Sequence, residues 1–237
     1  MLAGVPSLLD DPPRITSGPG SPAQPLARFA LIGDVHAEDV RLETFVALAR
    51  REGAEALLCV GDVADGFGDL ARTVEILAEE RVHVVGGNHD RWFLANEMRT
   101  LLPIQLRDEH VAAAEAARFW PPILEVDTIL GPLLVGHGVA DDDMAVLKPH
   151  TTLDEVRWIG AWRRLVTADR FRFLAGGHTH EAMVRTIDAI TILNPGTLKR
   201  DKSPSSALVD LREGVMCVYD LTDERVPTLR GAHPIAR

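Results

Sequence analysis

Metal-capable side chains recur along this chain behind one short phrase. Leu31-Ile32-Gly33-Asp34-Val35-His36, Leu58-Cys59-Val60-Gly61-Asp62, Val84-Val85-Gly86-Gly87-Asn88-His89-Asp90, Leu134-Val135-Gly136-His137 and Leu174-Ala175-Gly176-Gly177-His178-Thr179-His180 all run apolar, then glycine, then imidazole, carboxylate or amide. Asp34, His36, Asp62, Asn88, His137, His178 and His180 offer only nitrogen and oxygen donors. Such a set suits Mn, Fe, Zn, Co or Ni better than a closed thiolate zinc site. It also exceeds what one catalytic ion needs, and two ions about 3.5–4 Å apart need a bridge that a carboxylate can supply. Asp34 with His36, and His178 with His180, stand two apart, so an extended backbone would aim both members of each pair to one side.

The elements that must position these groups follow from the apolar runs. A short β-branched run that stops at glycine reads as a buried strand entering a tight loop, and open α/β sheets bind ligands at such strand ends. From Arg28 the pattern is Phe29 to Ile32 as strand, Val40 to Glu52 as helix, Ala56 to Val60 as strand, Leu70 to Glu80 as helix and Val82 to Val85 as strand. Crossovers of that length imply a parallel βαβαβ sheet. Arg91 to Phe119 reads as helical up to Pro121-Pro122, and Ile123–Ile129 with Pro132–Val135 as a hairpin about Gly131. Leu153, Val156, Trp158, Ile159, Trp162 and Leu165 approximate helical spacing, and the Trp158–Trp162 pair reads as core. The remainder is strand-rich: Phe171–Ala175, Met183–Ile187, Ile190–Leu193, Ser206–Leu211 and Val215–Leu221. The expected fold is α/β, two sheets packed face to face with helices outside.

Composition bounds the function. At 237 residues with 46% apolar content the chain can bury a full core as one domain over 27–237. Residues 1–26 hold six prolines among Gly and Ser and read as a flexible arm. No apolar stretch approaches the roughly 20 residues that span a bilayer, and no secretory signal is evident, so a cytoplasmic location without membrane partners is expected. The two cysteines, Cys59 and Cys217, suggest no disulfide framework. A net charge of −10 disfavours binding a long nucleic-acid polymer and fits a small phosphate ester drawn in by metal charge. Homo-oligomerisation is left open.

Gly33-Asp34-Val35-His36, Gly61-Asp62-Val63-Ala64-Asp65, Gly87-Asn88-His89-Asp90, Gly136-His137 and Gly177-His178-Thr179-His180, in this order, resemble the motifs of the calcineurin-like metallophosphoesterases. Asn194-Pro195-Gly196-Thr197 resembles a loop of their small bacterial phosphodiesterase branch. The resemblance implies a two-sheet α/β sandwich carrying two divalent ions, manganese foremost. One ion would be held by Asp34, His36, Asp62 and His180, the other by Asp62, Asn88, His137 and His178, with Asp62 shared. A bridging hydroxide would attack phosphorus in line, and His89, with Asp90 beside it, would face the substrate as a catalytic pair. Gly66 after Asp65, and Asp90 after His89, depart from the Arg-Gly and Glu of the protein phosphatases and diadenosine tetraphosphate hydrolases, making those substrates less favoured.

The expected activity is therefore a dinuclear phosphoesterase acting on small phosphodiesters. Its competitors are a metal-bearing protein-interaction scaffold of the same fold, a phosphomonoesterase or protein phosphatase, and a nuclease module. Outside the motifs, His83, His110, His150 and His233 read as surface or structural, Asp65 as a turn residue or as a partner that orients a site residue, Asp141–Asp143 as a solvated loop, and Lys199–Arg200 as a surface pair or a contact to a substrate phosphate. Asp90 could cap the following helix, orient His89, or do both.

Overall fold

A computed structural model describes residues 8–97 and 103–235. In chain order the elements are β1 (Arg28–Ile32), α1 (Asp39–Arg51), β2 (Ala56–Cys59), α2 (Leu70–Glu79), β3 (His83–Val84), α3 (Asn88–Ala95), α4 (Val111–Ala117), β4 (Ile123–Val126), β5 (Leu133–Gly136), α5 (Leu153–Trp158), α6 (Gly160–Ala168), β6 (Phe173–Ala175), β7 (Met183–Ile187), β8 (Ile190–Asn194), β9 (Ser205–Asp210), β10 (Val215–Asp220) and β11 (Thr228–Pro234). They form a six-stranded sheet ordered β11-β10-β9-β1-β2-β3 and a five-stranded sheet ordered β4-β5-β6-β8-β7. The βαβαβ start is parallel, as its crossovers require, with Leu31 opposite Leu58 and Cys59 opposite Val84. The second sheet mixes a β4–β5 hairpin with parallel β5–β6 and β6–β8 pairs.

The strands that lead to the site, β1, β2, β5 and β6, are buried on both faces, which is why they read as unbroken apolar runs. Along β1, Phe29 and Leu31 enter the core between the sheets, where Val135, Phe173 and Val209 also lie. Ala30 and Ile32 face the other way, onto Phe45, Ile76 and Ala113 of the helices. Beyond the second sheet, Leu134, Leu174 and Ile192 pack with Trp162 and Leu165 of α6. Helix α1 buries Leu42, Phe45, Val46 and Ala49, a stripe at i, i+3, i+4 and i+7, and Asp69 caps α2 by accepting from the Arg72 amide at 3.1 Å. Among the described residues no helix is long and apolar enough to cross a membrane.

Four expectations are corrected. The described part of the arm, 8–26, is packed: the Ile15 amide donates to Glu125 O, the Glu125 amide to Pro13 O and the Leu26 amide to Asp127 O, so the segment covers the outer edge of β4. Leu9, Ile15 and Leu26 are buried, and Arg14 pairs with Asp127 at 3.0 Å. A proline-rich chain cannot build a core, but it can borrow a strand edge; residues 1–7 lie outside the described residues. The single helix expected over Arg91–Phe119 is instead α3, a 3₁₀ turn at Arg107–Glu109 and α4, with Pro103 between them and 98–102 outside the described residues. Trp162 is core but Trp158 is 81% exposed, because α5 ends there and α6 begins on a new axis. Finally β11, a strand exposed along most of its length, carries no apolar alternation and was not anticipated.

Candidate metal centre

The loops that leave β1, β2, β3, β5 and β6 gather at one end of the sandwich and are stitched to one another by backbone. The His36 amide donates to Asp62 O at 2.8 Å, the Ala37 amide to Val63 O at 2.8 Å, and the Gly177 amide to His137 O at 2.6 Å. The Asn194–Thr197 loop closes the ring, since Thr197 Oγ1 and the Leu198 amide both donate to Asp34 O. His36, Asp62, His178 and His180 have φ of 48°, 49°, 63° and 60°. The left-handed region is costly for residues with a Cβ and is retained where surroundings over-determine it, often at functional sites. The expectation that His36, His178 and His180 sit on extended backbone is thus corrected: the turns aim them, not a strand pleat. The glycines of the motifs make room for the carboxylates, as a Cβ on Gly87 would stand 2.2 Å from Asp62 Oδ1 and one on Gly177 2.0 Å from Asp34 Oδ1.

All seven expected donors meet here. One ligand atom from each of Asp34, His36, Asp62 and His180 lies within 4.8 Å of the others, and so do those of Asp62, His137 and His178. Asn88 Oδ1 joins the second group, 3.0 Å from His137 Nε2 and 2.9 Å from His178 Nδ1. The two aspartates are used alike. Oδ1 of Asp34 accepts from the His178 amide and Oδ1 of Asp62 from the His89 amide, while each Oδ2 faces an imidazole, His180 Nε2 at 2.9 Å and His137 Nε2 at 3.1 Å. Asp34 Oδ2 is buried and, though close to His180, is too poorly aligned to accept a hydrogen bond.

These residues fit divalent cations. His36 Nδ1 and His137 Nδ1 sit 2.8 Å from the carbonyls of Asp65 and Val60, which fixes a proton on Nδ1 and turns Nε2 inward, the usual orientation of a ligating histidine. His36 Nε2 then meets His180 Nε2 at 3.2 Å, and a cation between them satisfies both lone pairs. Two fully buried carboxylates whose only ion-pair partners among the described residues are histidines demand positive charge from elsewhere.

The local field is uneven. Burial pushes His36 down to about 4 despite Asp62 and Asp34 nearby. Burial also acts against charge on His137, but the attraction and hydrogen bond of Asp62 outweigh it and lift the imidazole to about 10. Asp62 is correspondingly held well below the usual carboxylate range, His137 prevailing over burial. His178 is lowered by burial and by its neighbour His137.

His89 occupies the first turn of α3 beside Asn88, its ring 4.9 Å from that of His36 and edge-on to Trp92 at 5.1 Å. Its Nδ1 bonds Asp65 Oδ2 at 2.7 Å, and burial notwithstanding, that bond and the nearby Asp62 raise its pKa. Asp65, expected to be a turn residue or an orienting partner, is both: it has the turn's φ of 66° and its carboxylate holds His89. Asp90, expected to act with His89, does not touch it. Its Oδ1 accepts from the Val63 and Ala64 amides and its Oδ2 from the Gly87 amide, so it caps α3 and pins two loops. Burial and the charge of Asp62 lift Asp90 to about 7. Arg200 turns from the centre to pair with buried Glu38, which also binds Arg41, and Asp143 is engaged by Arg91 at 2.8 Å.

No curated protein matches the sequence at a significant level. Solved structures do match in fold. YfcE, a phosphoesterase from E. coli, superposes with a TM-score of 0.54 at 19% identity, covering 88% of this chain and all of its own. Vacuolar protein sorting 29 of Cryptosporidium parvum gives 0.54 at 22% identity over 89% and 98% of the two chains. A metallophosphoesterase from Sphaerobacter thermophilus gives 0.59 at 18% over 81% and 87%. The profile of the calcineurin-like phosphoesterase superfamily domain matches residues 28–214. With that match spanning most of its length, the chain belongs to the calcineurin-like phosphoesterase superfamily, hydrolases of phosphoester bonds.

Proposed function

We propose that this protein is a dinuclear metal-dependent phosphodiesterase acting on a small diester. The observation that supports it most is the pair of donor sets sharing Asp62, with His89 beside them but in neither. Asp34, His36, Asp62 and His180 would hold one divalent ion, and Asp62, Asn88, His137 and His178 the other. When bound, such ions acidify water for attack on phosphorus and offset charge on the phosphoryl oxygens. The protein's own part is to hold the donors rigid on cross-bonded loops and to supply a proton. His89, its Nδ1 tied to Asp65, presents Nε2 as the group that protonates the departing alkoxide.

The test is elemental analysis after loading with Mn, Zn, Ni or Mg, followed by turnover of bis(4-nitrophenyl) phosphate and of an alkyl phosphodiester. Two ions per chain with metal-dependent turnover of both esters is the expected outcome. One ion or fewer overturns the dinuclear assignment, and two ions without turnover of any ester turns the reading toward a metal-bearing scaffold.

A further inference from the structure

Gln105 belongs to no motif, yet it is built into the centre from 40 positions beyond Asp65. The two residues are joined twice: the Asp65 amide donates to Gln105 Oε1 at 2.9 Å, and the Gln105 amide donates to Asp65 Oδ1 at 2.9 Å. Asp65 uses its remaining atoms toward the centre, where its carbonyl accepts from His36 Nδ1 and its Oδ2 binds His89 Nδ1. All four groups are buried. Among the described residues, Asp65 is thus a hub that faces the chemistry with its carbonyl and Oδ2 and faces Gln105 with its amide and Oδ1.

We propose that Gln105 is a positioning residue that fixes the Asp65 carboxylate and through it the imidazole of His89. A carboxylate held at one oxygen can still swing; held at both, it gives the ring a single direction. Asp65 also has its backbone at φ 66°, a conformation that persists only under restraint, and without Gln105 Oε1 its buried amide loses its partner. The inference rests on the phosphodiesterase reading for its kinetic consequence but not for its structural one.

The decisive variant is Gln105→Met, which keeps the side-chain volume and the backbone donor and removes the side-chain amide with its Oε1 acceptor. In the Zn-loaded protein the low-field imidazole proton of His89, assigned by its absence in His89→Ala, should broaden or vanish in Gln105→Met while metal content is retained. Misplacing a proton donor by about 1 Å costs on the order of 10²-fold, so kcat on an alkyl phosphodiester should fall by up to that factor, with less loss on the nitrophenyl ester and little change in KM. In a His89→Ala background Gln105→Met should cause no further loss, as two residues acting as one unit are non-additive. An unchanged His89 resonance, or an undiminished effect in the His89→Ala background, overturns the proposal. If the resonance responds as expected but the wild-type protein hydrolyses no diester, the clamp stands and the phosphodiesterase reading falls.

Discussion

The two donor sets that share Asp62 differ in charge and in how histidine sits within them. The first, Asp34, His36, Asp62 and His180, contains two carboxylates; the second, Asp62, His137 and His178 with the Asn88 amide, contains only the shared one. His36 and His137 are equally buried and both give Nδ1–H to a backbone carbonyl, yet one is pushed to about 4 and the other to about 10. The difference lies in what each Nε2 meets. His137 meets Asp62 Oδ2, and His36 meets another imidazole. Burial alone therefore does not set the state of a histidine in these donor sets; the nearest carboxylate does.

The largest effect should come from the residue that belongs to both sets. Asp62→Asn removes one charge from each and weakens the Asp62–His137 attraction, so both ions should be lost together and activity should drop to background, as titration calorimetry and turnover would show. If one ion still binds with unchanged affinity, Asp62 is not shared and the two sets are independent. Next, His89→Ala should leave both sets intact, since His89 belongs to neither, while turnover of an alkyl phosphodiester falls by about 10²–10⁴. The loss should be smaller on a nitrophenyl ester, whose leaving group needs no proton. A variant that loses metal instead would place His89 among the ligands.

How much of this could be read from the sequence differs between the same regions. The seven donors were legible because each follows an apolar run and a glycine, and the alternation of Phe29 and Leu31 with Ala30 and Ile32 fixes a strand with two buried faces. Local order carries that kind of signal. Gln105 was not legible, because its meaning comes from meeting Asp65 across 40 positions with no repeating pattern on either side. Asp90 takes the capping role that was one of those expected for it, and the partner of His89 is Asp65, 24 positions earlier, whose carboxylate is aimed at the ring by the turn it sits in. The 8–26 segment misled through composition, since its few apolar residues, Leu9, Ile15 and Leu26, are spaced for docking on a strand edge rather than for a core of their own.

A finer comparison removes one donor from each set. Asp34→Asn takes a formal charge from the first, whereas Asn88→Ala takes only a dipole from the second. Loss of an outer-shell partner typically costs roughly 10–100-fold in metal affinity, so loss of a direct ligand should cost at least that, and Asp34→Asn more than Asn88→Ala. Each change should act mainly on its own ion. Equal losses at both ions from either variant would mean that the sets collapse as one unit, and that charge does not rank them.

The smallest effect is a count of protons, and it separates the two sets most directly. In the metal-free protein His137 has a pKa of about 10, above the ordinary 6.5, so the stability it contributes is fully present below about pH 6.5 and is lost as pH rises through about 10. His36, lowered to about 4, contributes the opposite way: its stability is present above about pH 6.5 and is lost as pH falls through about 4. An imidazole must be neutral to ligate. Between these limits, at pH 7.5, filling the second set must displace the proton of His137, whereas His36 has none to give at Nε2. Calorimetry in two buffers of different ionisation enthalpy should therefore show about one proton released with the ion that enters the second set and close to none from His36 with the other. Raising the pH from 7 to 9 should strengthen the first-set ion little and the second-set ion markedly. Identical proton release from both sets would show that Asp62 does not hold His137 protonated, and that the contrast between the two histidines lies outside the chemistry of metal uptake.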